Sequence, residues 1–391
     1  MQPTEVRVQD PATKTYLGSP SLVRLDNGCL LATHDYFGPG CPRNHENEEH
    51  LTSVYRSDDE GRTWRNITHI ANAYWSTLFT LRHAVYLIGT TQQYGSVVVR
   101  RSVDQGNTWT HPKDPATGLL FPGGPFRDPP NYHCAPVPVL IHNGRLYRAF
   151  EDFVPTTQNI DWWPPDFLSC VISCPVDADL LRRDSWTMSN KLRFDPGWVP
   201  KDWGKLDAPG WLEGNVVAGH RGSLHNILRF HSAPRWDMAV MTRLSDDGRI
   251  LSCDLAKAFI EFPGGMTKFT IRYDDRTRLY FTLSNGSLVR GRATNRSVLS
   301  LYCSADLLTW RHVEVLLRHD SGYSPEEAFR GIGFQYADWQ FDDEDIICLV
   351  RTACDGAHNF HDSNRITFHR ISGFRHRAIS DTANAQSARR D

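Results

Sequence analysis

Ser57-Asp-Asp-Glu-Gly-Arg-Thr-Trp64 is the stretch that decides the fold. It returns as Ser102-Val-Asp-Gln-Gly-Asn-Thr-Trp109, in a shortened form as Ser304-Ala-Asp-Leu-Leu-Thr-Trp310, and in part as Ser245-Asp-Asp-Gly248. The common form, Ser-x-Asp-x-Gly-x-Thr-Trp, is an Asp-box. Its physics is local. An aspartate side chain and a glycine backbone close a tight turn between two strands, and the tryptophan packs beneath it. Each full copy follows an alternating strand, Thr52-Ser-Val-Tyr-Arg-Ser57 or Ser96-Val-Val-Val-Arg-Arg-Ser102. Two full copies and two degenerate ones predict a β-propeller.

Between the boxes a second unit recurs: apolar strand, polar turn, apolar strand. The turns are Asp26–Gly28, His142–Gly144, His220–Gly222, Asp274–Asp275 and Asp342–Asp343, which is hairpin chemistry. Hairpins start near Tyr16, Tyr74, Tyr132, Glu213, Lys268 and Gln335. A repeat of this size, each unit an antiparallel sheet, means blades round an axis. The fold class is all-β, a propeller of four-stranded blades, six by this count. Helix signals are confined to short turns near Asp177–Leu181 and Pro325–Phe329. Residues 157–167, rich in proline and tryptophan, read as an inserted loop. The chain reads as one domain over residues 1–375 with a polar tail over 376–391. The C-terminal strand around Arg365–Ser372 is a candidate partner for the N-terminal Glu5-Val-Arg-Val-Gln9.

Lys+Arg is 43 and Asp+Glu is 45, for a net charge of −2, which excludes the basic field of a nucleic-acid binder. Mean hydropathy is −0.46, and no apolar run reaches the length of a membrane span. Nine cysteines, an odd number in a large chain, do not form a disulfide framework. Cys170 and Cys174 share one strand face and read as packing residues. No zinc spacing occurs, and neither a metal nor a cofactor is expected. The N-terminus has no apolar signal region. Sequons at Asn66, Asn285 and Asn295 permit secretion, which is the expectation, with the cytoplasm as alternative. A monomer is expected.

In a propeller the loop leading into each hairpin and the end of its second strand line one funnel. These positions hold Tyr74, Arg127, Tyr132, His133, Trp211, Glu213, Asn215, Lys268, Arg330, Gln335 and Tyr336, then His34, Asp35, Gln92, Tyr94, Glu151, Asp152, His231, Asn285 and Arg351. The last segment adds His358 and His361. Cations, aromatics and histidines converging on one funnel suggest an anionic sugar: arginine grips a carboxylate in a bidentate way. His133 and His34 are the leading acid/base candidates, followed by Tyr132 and Tyr336. Arg330 and Arg351, with Lys268 behind them, are expected to hold the carboxylate. Glu151, Glu213, Asn215, Gln335, Tyr94 and His361 complete the expected binding set.

Each assignment has a plainer competitor. His34 can simply be a strand-end histidine bonded to Asp35. Arg127 and Arg330 can bridge blades. Glu213 can hold the next loop. Trp64, Trp109 and Trp310 are core residues. Trp162 and Trp163 cannot both be buried by strand alternation, and a sugar platform competes with a plain loop there. Glu46, Glu48 and Glu49 read as a solvated loop.

Asp-boxes place the chain with sialidase-like propellers. A sialidase carries an arginine before the proline of its first inner strand. Here Gly18-Ser-Pro-Ser-Leu-Val-Arg-Leu25 has none, and no tyrosine/glutamate nucleophile pair is evident from the sequence, so a sialidase is not expected. Segments such as Tyr16-Leu-Gly-Ser-Pro-Ser-Leu-Val-Arg-Leu25, Trp211-Leu-Glu-Gly-Asn215, Phe334-Gln-Tyr-Ala-Asp-Trp339 and Arg351-Thr-Ala-Cys-Asp-Gly-Ala-His358 resemble another branch. That branch acts on the L-rhamnose-α-1,4-D-glucuronate cap of arabinogalactan glycans. The resemblance spans about residues 16–375 and implies seven blades, an acidic glycan partner and an exo-acting lyase. The alternatives are an α-L-rhamnosidase on the same linkage and a non-catalytic glycan-binding propeller. A lyase removes H5 of the uronate, which needs its carboxylate neutralised, and a histidine or tyrosine moves the proton.

Overall fold

The computed structural model describes residues 3–41, 50–156, 164–286, 294–319 and 322–379. Trp162, Trp163, Glu46, Glu48 and Glu49 lie outside the described residues, as does most of the tail. Six antiparallel sheets stand round one axis as blades. The hairpin count holds, and the seven blades implied by the resemblance are not present.

Blade 1 runs from Tyr16–Leu17 and Ser21–Arg24 on the inside through Leu30–Phe37 and Leu51–Ser57 to Arg65–Ala71. Blade 2 is Tyr74–Leu81, Ala84–Thr90, Val97–Ser102 and Leu119–Phe121. The inner strand of blade 3 is split into Tyr132–His133 and Leu140–His142. Arg145–Phe153 and Phe167–Pro175 follow, edged by Thr187–Met188 and Leu192–Arg193. Gly210–Ala218, Leu224–His231 and Met238–Leu244 form blade 4, edged by Leu251–Ser252 and Phe259–Glu261. Blade 5 is Thr270–Asp274, Leu279–Ser284, Val298–Ser304 and Trp310–Arg318. Blade 6 is built from both ends of the chain. Gly333–Asp342, Asp345–Ala353 and Arg365–Ser372 receive the N-terminal strand Thr4–Val8 as their outer edge, as the sequence predicts.

The boxes close as their residue types require. In the first, Gly61 N–H donates to Ser57 Oγ at 2.9 Å, and Asp59 accepts from the backbone and hydroxyl of Thr63 at 2.9 and 2.7 Å. Trp64 Nε1–H returns to the Gly61 carbonyl at 3.1 Å. Gly61 has φ +85°, and a Cβ there would lie 2.2 Å from the Phe368 ring, so only glycine fits. The second box repeats the pattern around Asp104. The shortened box keeps it with Leu307 in the glycine's place, at φ 67°, its side chain buried in the core.

Apolar clusters fill the seams between blades. Phe79 and Ile88 of blade 2 meet Leu146, Phe150, Cys170 and Cys174 of blade 3, so both cysteines are packing residues. Trp339 and Ile346 meet Phe281 and Leu299 across the blade 5–6 seam. Each fully buried ring of this kind contributes about 1.5–3 kcal/mol relative to exposure.

One α-helix stands among the named elements, Pro325–Gly331, with a reciprocal cap between Ser324 and Glu327. The helical turn expected near Asp177–Leu181 is instead a run of turns leading to a 3₁₀ turn at Arg183–Ser185. After blade 6 the chain stays helical over 374–379, and Phe374 and Ala378 are buried against blades 5 and 6. Among the described residues no helix is long and apolar enough to cross a membrane.

Candidate functional site

Three inner strands break register in the same way. In blade 2, Trp75 and Ser76 oppose one residue between the pairs Tyr74↔Thr90 and Thr77↔Ile88. In blade 4, Glu213 and Gly214 do the same between Leu212↔Arg229 and Asn215↔Ile227. In blade 6, Tyr336 and Ala337 sit between Gln335↔Arg351 and Asp338↔Leu349. The first residue of each two-for-one bulge is left-handed: Trp75 at φ 48°, Glu213 at φ 56°, Tyr336 at φ 53°. Such a conformation costs a non-glycine residue roughly 1–3 kcal/mol and clusters at functional sites. The second residue of the blade 4 bulge is a glycine because a Cβ there would lie 2.4 Å from the Asn226 amide.

Tyr336 Oη–H donates to Glu213 Oε1 at 2.6 Å, and Arg229 NH1 donates to Glu213 Oε2 at 2.9 Å. Burial alone would raise the Glu213 carboxyl. Arg229, His133 and the Tyr336 hydroxyl outweigh it and hold the group below the ordinary carboxylate range. Burial, with Glu213 beside it, pushes the Tyr336 phenol up to about 12, so it rests protonated. Arg351 stands 5.1 Å from the Tyr336 ring centroid and Arg296 5.7 Å. Burial pulls the Arg296 guanidinium down to about 10 and lowers Arg351 as well. Both guanidinium groups still carry a proton at neutral pH. Arg296 bonds the Gln335 amide oxygen, and Arg351 donates to Ser363 Oγ and the His361 carbonyl. Arg229 thus bonds Glu213 while the buried Arg296 and Arg351 stand over the Tyr336 ring, and this gathering of positive charge suits an anionic ligand.

Opposite stands an aromatic wall from blades 2 and 3. His133 Nδ1 meets Glu151 Oε2 at 2.9 Å, both groups buried. The other oxygen of Glu151 accepts from the Gly214 amide at 3.1 Å. One carboxylate therefore fixes the imidazole and the bulge that carries Glu213. The His133 ring lies against Trp75 at 4.4 Å, Phe167 at 4.8 Å and Tyr94 at 6.0 Å. Asp35 joins the walls. Its Oδ2 accepts from Trp75 N–H at 2.9 Å, and burial pushes its carboxyl up to about 7 against the pull of that bond and of Arg351.

Of the residues expected from sequence, the funnel brings together Tyr336, Glu213, Arg351, Lys268, Gln335, His133, Glu151 and Tyr94. Lys268 acts from behind. Its Nζ donates to the Ala337 carbonyl at 2.9 Å, bracing the Tyr336 bulge, and burial lowers it to about 8. His361 packs edge-on to Phe37 beside Arg351. Asn215 stitches blade 4 to blade 5, donating to the Phe269 carbonyl and accepting from Ile271 N–H.

Three expectations need correction. His34 turns away from the funnel. Its Nδ1 meets the Asp35 carbonyl at 3.0 Å and its Nε2 meets Tyr55 Oη at 3.3 Å, in the seam towards blade 6. Strand alternation gives the funnel position to Asp35 instead. Tyr132 is buried in the blade 2–3 seam with its ring 4.9 Å from Lys191 Nζ. Arg330 lies on the helix with 77% of its side chain exposed, bonded to Glu326 one turn earlier. Nor is a tyrosine/glutamate pair missing, as Tyr336 and Glu213 form one. The sequence reading passed over Arg229, Arg296 and Trp75. For Arg229 a signal existed: a charged residue between Leu228 and Phe230, on the strand that returns alongside Glu213.

Among the described residues no group of three or more His, Cys, Asp or Glu is placed to hold a metal ion.

No protein-family model and no curated protein matches the chain. Solved structures do. An α-L-arabinanase of Penicillium chrysogenum, complexed with arabinobiose, matches at TM-score 0.58 and 14% identity over 95% of this chain and 98% of that one. The α-L-arabinofuranosidase of Fusarium graminearum matches at 0.55 and 13%, over 94% and 97%. A Trypanosoma rangeli sialidase in complex with sialic acid matches at 0.60 and 14%, over 95% of this chain and 56% of that one. Identity this low shows the fold alone, a β-propeller.

Proposed function

We propose that the chain is a carbohydrate-active enzyme that cleaves the bond to a terminal sugar bearing a carboxylate on or next to the attacked carbon. The observation that carries this reading is the 2.6 Å bond from the Tyr336 hydroxyl to Glu213, beside Arg229, Arg296 and Arg351. A carboxylate nucleophile would be repelled by a substrate carboxylate at the reacting centre. A neutral phenol avoids that repulsion, and a tyrosine can serve as the nucleophile of a glycosidase. Tyr336 Oη attacks the anomeric carbon while its proton passes to Glu213, which Arg229 orients. The glycosidic C–O bond breaks, and the leaving oxygen takes a proton from His133, held by Glu151. Water then attacks the anomeric carbon and gives its proton to His133, while the bond between Tyr336 Oη and the sugar breaks and Glu213 returns its proton to that oxygen. The arginines hold the substrate carboxylate throughout.

A specific observation favours a second reading. The His133–Glu151 pair would serve the elimination expected for an L-rhamnose-α-1,4-D-glucuronate cap, with arginine neutralising the uronate. The products separate the two. The test supplies methylumbelliferyl glycosides of carboxylated and neutral sugars, the rhamnose–glucuronate disaccharide, and a fluorinated carboxylated sugar as trap. Expected is turnover of carboxylated substrates with a mass-labelled Tyr336 peptide. An ultraviolet-absorbing unsaturated uronate without any Tyr336 adduct would establish elimination instead. Turnover confined to neutral arabinofuranosides overturns both.

A further inference from the structure

The Tyr336 site uses two of the three bulges. The third, at Trp75, packs on His133 but supplies no reacting group, yet its backbone carries the same left-handed turn. Asp35 holds it there through the Trp75 amide, and the indole is only half-buried. Beside it Tyr94, at φ 57°, stacks on Phe126 with centroids 5.3 Å apart and planes at 29°. Phe126 in turn lies parallel to Phe153, at 6.1 Å and 8°. Phe126 is 56% exposed, and its loop is tightly cinched. Asn131 accepts from Arg127 N–H at 2.6 Å and donates to the Gly124 and Pro125 carbonyls at 3.2 and 3.0 Å. Arg127 is also left-handed, at φ 70°. One wall thus keeps three non-glycine residues in a costly conformation and holds a phenylalanine open to solvent on a fixed loop. Strain at observed outliers and a presented aromatic both point to a ligand.

The Tyr336 side constrains what that ligand is. If the arginines of blades 4–6 fix the carboxylated ring over Tyr336, the group beyond the broken bond extends towards blades 2 and 3. A pyranose offers an apolar C–H face that suits an aromatic platform. We propose that Trp75 and Phe126 form a leaving-group subsite that takes a second, neutral sugar ring by its C–H face. This rests on the reading of Tyr336 given above and adds a determinant of linkage and partner sugar to it.

The test compares two substrates with one carboxylated ring in common, a disaccharide and the matching methyl glycoside. Trp75→Ala and Phe126→Ala should each lower the ratio of kcat/KM on the disaccharide to that on the methyl glycoside by roughly 10- to 100-fold, the scale of a lost aromatic anchor. Phe126 is exposed, so its variant keeps the test valid if Trp75→Ala fails to fold. An unchanged ratio in the Phe126→Ala protein overturns the subsite, whatever happens to absolute rates. If the wild type cleaves neither substrate, the reaction assigned to Tyr336 falls. The subsite is then read by saturation-transfer NMR with methyl α-L-rhamnoside and methyl β-D-galactoside. Signals lost in Phe126→Ala support it, and no signal from the wild type for either sugar overturns it.

Discussion

Blades 4, 5 and 6 meet the funnel with charge. Blades 2 and 3 meet it with rings. On the first side Arg229 bonds Glu213, and Arg296 and Arg351 stand over the phenol of Tyr336. On the second, Trp75, Tyr94 and Phe167 pack on the His133 of one buried His133–Glu151 pair, with Phe126 and Phe153 stacked beyond Tyr94. The two sides share a backbone device, the left-handed bulge, and differ in what it carries. A conserved geometry with exchanged side chains is how a propeller varies its chemistry without altering its frame. Glu151 and Asp35 are the crosslinks between the sides, one through Gly214 and the other through Trp75.

The largest effect belongs to the charged side. Tyr336→Phe and Glu213→Gln should each lower kcat roughly 10³-fold or more, and the double variant should be no worse than either single, because the pair acts as a unit. Additive losses in steady-state assays would break the pair apart. Next come the cations. Arg351→Ala or Arg296→Ala should cost about 2.7–4 kcal/mol of transition-state stabilisation on a carboxylated substrate, with a much smaller loss on its neutral methyl ester. Equal losses on acid and ester would mean that these arginines only shape the funnel.

The crosslinks predict stability effects. Glu151→Ala strips the Gly214 amide and His133 of a buried partner at once, which should cost about 1–3 kcal/mol for each group left unsatisfied, read as a lowered Tm. A change confined to activity would show that Glu151 serves one side alone. The smallest effect is a pair of opposite pH slopes from neighbours on one strand. Asp35, raised in the fold to about 7, contributes stability that is full below the unfolded value and lost as pH rises through 7. His34, lowered by burial to about 4, contributes stability present above its ordinary 6.5 and lost as pH falls through 4. In Tm-versus-pH curves, Asp35→Asn should therefore gain on the wild type as pH rises from 4 to 7, and His34→Gln should gain as it falls over the same range. Parallel curves would place both side chains in the same surroundings.

The frame was legible because its signals are local. A box is read within eight residues and a hairpin within twenty, so six blades follow from the sequence with the N-terminal strand as a candidate edge. The site was legible only in part because its logic is not local. Tyr336 and Glu213 are 123 residues apart, and what joins them is a pair of bulges of which only Gly214 gives a local hint. His34 and Asp35 show the sharper failure: a side-chain period of two makes a one-residue error a change of face. Arg330 was drawn into the site by its place before an inner strand, but a capped helix directs it outward to Glu326.

Blade 6, which presents Tyr336, is the one blade whose outer edge comes from the other end of the chain. Synthesis runs from the N-terminus. Thr4–Val8 must therefore wait, unpaired, while five blades emerge, until Arg365–Ser372 arrives to receive it. The last sheet to be completed is the one that presents Tyr336. A chain cut short before Arg365 lacks the strand that pairs with Thr4–Val8, so its last blade cannot be completed. In this protein the order of assembly leaves the blade that carries Tyr336 incomplete until Arg365–Ser372 has been made.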